Sequence, residues 1–569
     1  MNIKVSDYIA NFLISKGIEY VYEMVGGMSL HLSNSFYKNG KIKVIPMKHE
    51  QSASFACVGY SSVTNKPAVA MGISGPGAIN MIGGIASSYY DSIPSLFISG
   101  QVNQSELKNN KNIRQLGFQE HNIVDMVKGI CKKAVIVNCK EELPSLLNEL
   151  YDLTISGRYG PVLMDIPMNI QREFIDTDLI FNNNIIKTNN FYIEDNVLDN
   201  IVELINKSKR PLILAGGGIR KSGAIEIFRK LVHKLQIPVV TSLVGIDSLP
   251  TNNSFMFGLI GTYGHREAND ALFNSDLLIV LGSRLDIRQT GKNIDALIGN
   301  KKIIRVDIDK YELNNNIQSY YNIEANLKDF LHAFYNKIQN IKFNDFNDWI
   351  SYIKKNKDNN PIELEQSLDG IHPNIFLSKI SNICSYDKSY VVDIGQNQIW
   401  AAQSLILNDN DLFITSGGYA SMGFALPAAI GVYHATKENV IVITGDGGMQ
   451  CNIQELETIS KLSIPIKIFV INNSSLGLIR QSQDENFNSY YGSSVIGYSA
   501  PDFCSIANAY KIESINVDSY SLLDNAIFSC LNDTTKPYLI NVLIDKNADL
   551  LPKVVFGNNI NNMYPYKTK

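Results

Sequence analysis

The 569-residue sequence alternates short apolar runs with amphipathic stretches along almost its whole length. The apolar runs end in Gly, Ser, Asp or Asn, and we interpret as strands the segments 68–71, 95–98, 212–214, 277–280, 440–443 and 467–471. Strands that alternate with segments long enough for helices are typical of parallel sheets joined by crossover helices. The pattern therefore predicts an α/β protein made of doubly wound domains with mostly parallel sheets.

Two polar stretches, 171–195 and 338–365, interrupt this alternation, and we interpret both as linkers. A chain of this length is expected to form about three to four domains. The two linkers predict three domains, at 1–172, 190–340 and 366–552. A polar C-terminal tail, 553–569, would follow them, and we expect it to be loosely ordered.

Composition excludes several classes of function. The net charge of −4 leaves no basic field that would attract nucleic acid. Seven cysteines occur without a Cys-x-x-Cys pair, which argues for reduced thiols and against a disulfide framework or a zinc site. The sequence has no run of 18 apolar residues and no apolar signal core near Met1. We therefore expect a soluble cytoplasmic protein without a membrane span.

Polar residues follow two strands that one helix is expected to connect. Gly445, Asp446, Gly447 and Gly448 come directly after the strand at 440–444, and Asn473 follows the strand at 467–471, 27 residues after Asp446. The carboxyl ends of such strands form the ligand-binding edge of a parallel sheet. Oxygen ligands suit Mg²⁺, and the glycines allow the backbone to approach a phosphate. Gly-Asp-Gly alone would indicate a turn, but the pair with Asn473 predicts a site for a metal and a diphosphate.

These residues resemble the thiamine-diphosphate motif shared by pyruvate decarboxylases, acetolactate synthases and their relatives. The likeness to the large catalytic subunit of acetolactate synthases covers nearly the whole chain and includes the segments 395–403, 416–429, 452–456 and 476–481. It implies three domains, which would bind the aminopyrimidine, a central nucleotide and the diphosphate. It also implies that Asp446, Asn473 and the carbonyl of Ser475 bind the Mg²⁺ that holds the diphosphate.

The resemblance also implies the contacts of thiamine diphosphate. The positions that correspond to cofactor contacts are Glu50, Gln396, Asn397, Ala420, Met422, Gly445, Asp446, Gly447, Gly448, Asn473, Ser475, Leu476 and Gly477. Met422 would hold the cofactor in its bent shape, although core packing is the simpler interpretation of a lone Met. Glu50 would hydrogen-bond the aminopyrimidine ring and promote the tautomer that takes a proton from the thiazolium carbon. We expect this carboxyl to be desolvated, which would raise its pKa. Gly27 and Gln119 would lie by the reactive carbon, with Gln119 in contact with the substrate.

A second cofactor is implied for the middle domain. Its glycine-containing segments, each of which follows or ends an apolar run, resemble those of acetolactate synthases that carry FAD. The corresponding positions are Arg158, Gly216, Gly217, Gly218, Gly258, Leu259, Gly282, Ser283, Arg284, Asp307 and Ile308. Related middle domains bind ADP or nothing, and a lone Gly-Gly-Gly is a weak signal.

The implied reaction is the decarboxylation of a 2-keto acid, with pyruvate expected, and the carboligation of the resulting enamine to an acceptor carbonyl. Several positions differ from the family pattern: Met168 replaces a Lys, Ile287 an Asp, Asn397 a His and Ser482 a Trp. Because loss of the Trp would enlarge the acceptor pocket, the second substrate stays open. The alternatives are a keto-sugar nucleotide as acceptor, a simple decarboxylase, and a catalytically silent regulator or scaffold. The resemblance implies a homodimer or homotetramer in which Glu50 of one subunit faces Asp446 of the other.

Overall fold

The predicted α/β architecture is confirmed, because the chain forms three domains that each contain a parallel sheet of six strands. The computed structural model describes residues 2–109, 111–176, 193–313, 315, 317–384 and 386–566. Most of the first expected linker, at 177–192, lies outside these ranges. All seven cysteines are free thiols. None of the helices in the described ranges combines the length and the apolar character that crossing a bilayer requires.

The N-terminal domain has the sheet order β3-β2-β4-β5-β7-β6. Its strands are β1 (Asn2–Lys4), β2 (Tyr20–Glu23), β3 (Lys43–Pro46), β4 (Ala68–Ile73), β5 (Ser95–Gln101), β6 (Lys133–Ile136), β7 (Pro161–Pro167) and β8 (Phe174–Asp176). Its helices are α1 (Val5–Ser15), α2 (Leu30–Asn39), α3 (Glu50–Thr64), α4 (Pro76–Asn80), α5 (Ile82–Tyr90), α6 (Ile123–Val127), α7 (Leu143–Ile155) and α8 (Met168–Arg172). Because β8 pairs antiparallel with β1, this domain continues to Asp176, past the predicted bound at 172.

The central domain has the sheet order β11-β10-β9-β12-β13-β14. Its strands are β9 (Pro211–Ala215), β10 (Val239–Thr241), β11 (Met256–Leu259), β12 (Leu277–Leu281), β13 (Lys302–Asp307) and β14 (Tyr321–Glu324). Its helices are α9 (Asp195–Lys207), α10 (Gly218–Lys221), α11 (Ile225–Leu235), α12 (Arg266–Asn274), α13 (Ile287–Thr290), α14 (Ile294–Ile298), α15 (Lys310–Leu313), α16 (Leu327–Ile338) and α17 (Asn347–Asn359). The strand order reverses between β9 and β12, which is where doubly wound sheets open a crevice for ligands.

The C-terminal domain has the sheet order β16-β15-β17-β18-β20-β19, the same topology as the N-terminal domain. Its strands are β15 (Lys388–Val392), β16 (Leu412–Thr415), β17 (Asn439–Gly445), β18 (Lys467–Asn472), β19 (Glu513–Val517) and β20 (Tyr538–Leu543), followed by the hairpin β21 (Lys553–Val554) and β22 (Met563–Tyr564). Its helices are α18 (Pro373–Ile383), α19 (Gln396–Ser404), α20 (Ala425–Thr436), α21 (Asp446–Cys451), α22 (Glu455–Lys461), α23 (Gly477–Asn486), α24 (Phe503–Ala509) and α25 (Tyr520–Asn532).

Two expectations about order are wrong. The polar stretch 338–365 is not a plain linker, because α17 forms within it and buries Trp349 and Ile353 in the core of the central domain. The part of the tail that the structure describes, 553–566, is not loosely ordered either. Its hairpin buries Val554 and Met563 in that same core, and the Arg266 guanidinium donates a hydrogen bond to the Met563 carbonyl at 3.0 Å. In both segments a few apolar side chains within a polar sequence supply the contact surface.

The N- and C-terminal domains meet where α3 crosses α20. A Cβ atom on Gly59 would lie 2.1 Å from the Ala428 carbonyl oxygen, and one on Gly431 would lie 1.9 Å from that of Ala56. Only glycine permits this approach of two helix backbones. The crossing therefore sets the position of Glu50, the first residue of α3, relative to the C-terminal sheet.

Candidate active site

Asp446 and Asn473 lie together at the carboxyl edge of the C-terminal sheet, as the sequence predicts. β17 and β18 are neighbouring parallel strands whose register ends with Gly445 opposite Ile471. Asp446 begins α21 directly after β17, and Asn473 follows β18. The connection contains two short helices, α21 and α22, so the expectation of a single helix is wrong. At the break, Asn452 has a non-helical backbone with φ of −135° and ψ of 31°, and its side chain accepts a hydrogen bond from Ser52 in the N-terminal domain at 2.9 Å.

The polar atoms at this edge fit a cation. Asp446 is 3% exposed, and its Oδ1 accepts the Gly447 N–H at 3.0 Å. Asp446 Oδ2 and Ser475 Oγ are buried without a hydrogen-bond partner among the described residues. Burial raises the pKa of the Asp446 carboxyl to about 6, even though hydrogen bonds from Gly447 and Tyr498 act to lower it, because a buried carboxylate is costly without a compensating charge. A cation at this point would supply that charge.

Gly447 and Gly477 stand at positions of this edge where a larger side chain has no space. A Cβ atom on Gly477 would lie 1.9 Å from Gln396 Oε1 and 2.5 Å from Asn473 Nδ2. These two amides hydrogen-bond each other at 3.2 Å. A Cβ atom on Gly447 would lie 2.9 Å from Leu476 and 3.1 Å from Met422 Cε. A residue larger than glycine at either position would displace side chains that the sequence assigns to the cofactor.

Asp393 is a buried carboxylate near this edge that the sequence did not reveal. Asp393 follows β15 and accepts backbone N–H groups from Ile394 at 2.8 Å, Gly423 at 3.0 Å and Ala425 at 3.0 Å. Burial raises its pKa to about 6, and its carbonyl accepts a hydrogen bond from Asn397 Nδ2 at 2.8 Å. The position of Asp393 directly after a buried strand, like that of Asp446, is the signal that could have revealed it.

Asp393 holds the segment that carries Ala420 and Met422. Ala420 is in the left-handed region, with φ of +60°, and its N–H donates to Ser416 Oγ at 3.2 Å. Met422 is 39% exposed. An apolar side chain this exposed beside a buried polar edge is not core packing, so it is available to a ligand.

A second group of predicted residues lies at the carboxyl edge of the N-terminal sheet. Glu50 follows β3, and its carboxylate accepts a hydrogen bond from Asn80 Nδ2 at 3.0 Å. A Cβ atom on Gly77 would lie 3.1 Å from Glu50 Oε1. The Glu50 side chain is partly exposed in the single chain, which differs from the expected desolvation. Among the described residues, no hydrogen bond joins Glu50 to the Asp446 edge.

Gln119 and Gly27 belong to this same N-terminal group. Gln119 has a left-handed backbone, with φ of +62°, and a Cβ atom on Gly75 would lie 2.9 Å from its carbonyl oxygen. Gly27 begins a short 3₁₀ helix after β2, and a Cβ atom there would meet nothing within 4 Å. The single chain thus presents two half-sites, one on each sheet edge.

A separate cleft lies at the carboxyl edge of the central sheet, where the order of its strands reverses, and residues of all three domains line it. The predicted residues that line it are Arg158, Gly217, Gly218, Leu259, Gly282, Ser283, Arg284, Asp307 and Ile308. Gly216 and Gly258 have a packing role instead. Their Cβ atoms would lie 2.1 Å from the Gly282 carbonyl oxygen and 2.5 Å from His265 Nδ1 respectively.

The charges of the cleft suit a ligand with both polar and anionic parts. The Arg158 guanidinium pairs with Asp309 at 3.0 Å and Glu312 at 2.8 Å. Lys221 also lines the cleft, and burial lowers the pKa of its ammonium group to about 8. The sequence reasoning missed Lys221 and Asp91, which have no motif around them. Ala420, which lies in the segment held by Asp393, also lines this cleft.

The positions that depart from the family pattern are spread over the three domains. Ser482 is exposed on α23, and Ile287 is 56% exposed at the start of α13. Met168 is partly buried and begins α8. Of these four residues, Asn397 lies at the buried edge, where its Nδ2 donates a hydrogen bond to the Asp393 carbonyl.

Comparisons with known proteins find similarity along nearly the whole chain. Models of the thiamine pyrophosphate enzyme N-terminal TPP binding domain, central domain and C-terminal TPP binding domain match residues 3–126, 198–334 and 393–542. The acetolactate synthase large subunit of Lactococcus lactis subsp. lactis (strain IL1403) is 34% identical over 98% of this chain and 95% of its own. The acetolactate synthase isozyme 2 large subunit of Escherichia coli (strain K12) is 30% identical over 98% of both chains. The chloroplastic acetolactate synthase 1 of Nicotiana tabacum is 32% identical over 97% of this chain and 84% of its own.

Proposed function

Because the chain belongs to the thiamine pyrophosphate enzyme family, we propose that it decarboxylates pyruvate and joins the product to a second carbonyl compound, as an acetolactate synthase does. The observation that carries this proposal is the match with acetolactate synthase large subunits along nearly the full length of both chains. The simple decarboxylase, the keto-sugar ligase and the silent scaffold lack a comparable observation. With pyruvate as acceptor, the product is 2-acetolactate.

The Asp446 edge is the proposed place for the metal and the diphosphate. Asp446 Oδ2, the Asn473 amide oxygen and the Ser475 carbonyl are the oxygen donors that would hold Mg²⁺, which prefers few protein ligands beside phosphate oxygens. The unpartnered Asp446 Oδ2 supports this assignment. In the described part of the chain, no group of three or more His, Cys, Asp and Glu side chains forms another candidate. When bound, thiamine diphosphate supplies a carbon nucleophile and accepts the electrons released as carbon dioxide leaves.

The remaining roles fall to the protein's own side chains. Glu50 would hold a proton at its carboxyl and donate it in a hydrogen bond to the pyrimidine ring. Asn80, which donates to Glu50 at 3.0 Å, orients that carboxyl. Gln119 would contact the substrate, and the exposed Met422 would support the cofactor from the other half-site. If the Glu50 half-site of one copy met the Asp446 half-site of another, water would be excluded from the reacting carbon.

Product analysis tests the proposed reaction. The purified chain is incubated with pyruvate, thiamine diphosphate and Mg²⁺, without another acceptor, and the products are identified by mass spectrometry. Acetolactate supports the proposal. Acetaldehyde as the main product would indicate a decarboxylase, and no product from a cofactor-loaded protein would overturn the proposal.

We propose that each active site is shared between two copies of the chain. Each half-site carries exposed apolar side chains, among them Ile79 beside Asn80, Phe118 beside Gln119, and Ile479 near Gly477. A copy that covers these surfaces would also desolvate Glu50. A homodimer or homotetramer is therefore the expected assembly, which light scattering measures.

Mixing two inactive variants tests the shared site directly. In a heterodimer of Glu50→Gln with Asp446→Asn, one site carries both changes and the other carries neither. Random exchange of equal amounts would therefore restore about one quarter of the wild-type activity. If each site lay within one chain, no mixture would recover activity.

We propose that FAD occupies the central cleft. The support is the close approach of Gly218 to Gly282 at the strand reversal, where both line the cleft, together with the mixed charges of Arg158, Lys221 and Asp307 along it. Acid extraction of the purified protein followed by fluorescence spectroscopy would detect the flavin. ADP in the extract, or no nucleotide after reconstitution with excess FAD, would contradict this assignment.

A further inference from the structure

The loop between β5 and α6, residues 102–122, holds Gln119 in an unfavourable backbone conformation. A non-glycine residue in the left-handed region costs about 1 kcal/mol or more, and Gln119 has φ of +62°. The neighbouring Phe118 is 81% exposed, so burial of the loop's own apolar surface does not supply the compensation. Such a conformation persists only where the surrounding contacts enforce it.

The contacts that enforce it converge on Glu120. One carboxylate oxygen, Oε1, accepts the backbone N–H of Lys108 at 2.7 Å, and the other, Oε2, accepts that of Leu116 at 2.7 Å. The Gln115 side-chain amide donates to the Glu120 carbonyl oxygen at 3.0 Å. The Glu120 carboxylate thus connects two segments of the loop that are eight residues apart, and hydrogen bonds of this charge-assisted kind are among the stronger ones in proteins.

Both flanks of Gln119 are held as well. Before it, the Gly117 N–H donates to the Glu106 carbonyl at 2.9 Å. After it, the His121 carbonyl accepts a hydrogen bond at 2.8 Å from Gln101 Nε2, which also binds the buried Asp165 at 2.8 Å. On the sheet side, Gly75 lies so close that a Cβ atom would be 2.9 Å from the Gln119 carbonyl oxygen. The backbone on either side of Gln119 therefore has little freedom, and the Glu120 carboxylate connects two separate backbone N–H groups of the loop, those of Lys108 and Leu116.

We propose that Glu120 is a positioning residue for the reaction, which holds Gln119 at the substrate by connecting Lys108 and Leu116. The inference rests on the proposed function, since it takes Gln119 as the substrate contact. Glu120 does not touch the substrate in this scheme. Each of its carboxylate oxygens accepts a backbone N–H group, and its effect reaches the reaction through the conformation of Gln119.

A double-mutant cycle on pyruvate turnover tests this coupling. Misplacement of a contact residue by about 1 Å can cost as much as 100-fold in rate, so we expect Glu120→Ala to lower kcat/KM for pyruvate about tenfold or more. In a Gln119→Ala background, the same change should cost less than about twofold, because the contact that Glu120 positions is already absent. If Glu120→Ala lowers kcat/KM by the same factor in both backgrounds, the inference is overturned, because the effects of the two substitutions would then be independent of each other.

Limited proteolysis gives a readout that does not depend on activity. Lys111 and Arg114 are exposed trypsin sites in the loop, and we expect Glu120→Ala to speed cleavage there at least several-fold. The matched control is Glu142→Ala, whose carboxylate accepts the Asn138 N–H in a different loop of the domain. It should change neither cleavage nor kcat/KM.

The two hypotheses fail in different ways. If the wild-type chain forms no product from pyruvate, the proposed function is wrong, and proteolysis still decides whether Glu120 holds the loop. If the wild-type chain is active and Glu120→Ala matches it in cleavage and in kcat/KM, the proposed function stands and this inference is overturned.

Discussion

Replacement of Gly477 by alanine tests the packing at the Asp446 edge. Gly477 is the first residue of α23, outside the helix interior in which glycine costs about 1 kcal/mol relative to alanine. The added Cβ atom would lie 1.9 Å from Gln396 Oε1 and 2.5 Å from Asn473 Nδ2. Neither atom can stay in place, because both distances are well below van der Waals contact.

The expected loss of cofactor affinity follows from the displacement of the Gln396 and Asn473 side chains. Overpacking of a tightly packed site typically costs about 1–3 kcal/mol, and loss of the 3.2 Å hydrogen bond between Gln396 and Asn473 adds about 1 kcal/mol. If Asn473 moves to relieve this strain, the binding free energy of the metal and diphosphate should become about 2–4 kcal/mol less favourable. At about 1.4 kcal/mol per tenfold, the dissociation constant should rise roughly 30-fold to 700-fold.

The assay is a titration of cofactor-free protein with thiamine diphosphate at fixed Mg²⁺, followed by intrinsic fluorescence. Gly129→Ala is the matched control, because a Cβ atom on Gly129 would meet nothing within 4 Å. Circular dichroism confirms that each variant is folded. A folded Gly477→Ala protein with a dissociation constant within about threefold of the wild-type value would refute the reasoning, since that factor is only about 0.7 kcal/mol.

Three further predictions concern other parts of the structure. Glu50→Gln should lose most turnover of pyruvate while it still binds thiamine diphosphate in the same titration, because an amide cannot exchange the proton; near-wild-type turnover would contradict the role. Affinity for Mg²⁺ with thiamine diphosphate should fall as the pH drops through about 6, the pKa that burial gives Asp446, since a protonated carboxyl is a poor ligand; titrations at several pH values with equal affinities would exclude Asp446 as the ligand. Gly431→Ala, whose Cβ would lie 1.9 Å from the Ala56 carbonyl oxygen, should reduce the free energy of unfolding in urea by about 1–3 kcal/mol, whereas Gly129→Ala should not.

Much of the site could be predicted because its main residues follow strands. The apolar runs that end at Gly445 and Asn472 are recognisable without their neighbours, since side-chain burial on both faces of a parallel strand leaves a continuous apolar segment. Two strands joined by one crossover are commonly adjacent, so Asp446 and Asn473 could be placed together. Glu50 needed the family resemblance, because a lone carboxylate at the start of a helix has many ordinary explanations.

Other functional features left no local signal. Asp393 and Lys221 lack a motif, and their importance comes from the groups that the fold brings to them. Asp393 receives three backbone N–H donors, and Lys221 lies at the wall of the cleft. Glu120 is similar, since one of its two donors, Lys108, is twelve residues away in sequence. Contacts of this kind depend on loop conformation, which composition does not determine.

The sequence by itself therefore determined the α/β class, the alternation of strands and helices, and the placement of Asp446 and Asn473 at the ends of neighbouring strands, because each of these depends on short-range patterns of burial and on the common edge of parallel strands. Only the tertiary structure decided that 338–365 and the tail are parts of the central core. Their polar composition conceals the few side chains, Trp349 and Met563 among them, that bury apolar surface against another element. The tertiary structure alone also showed how Glu50 is placed relative to the C-terminal sheet, because α3 packs on α20 through glycines whose role becomes visible only when two helices meet.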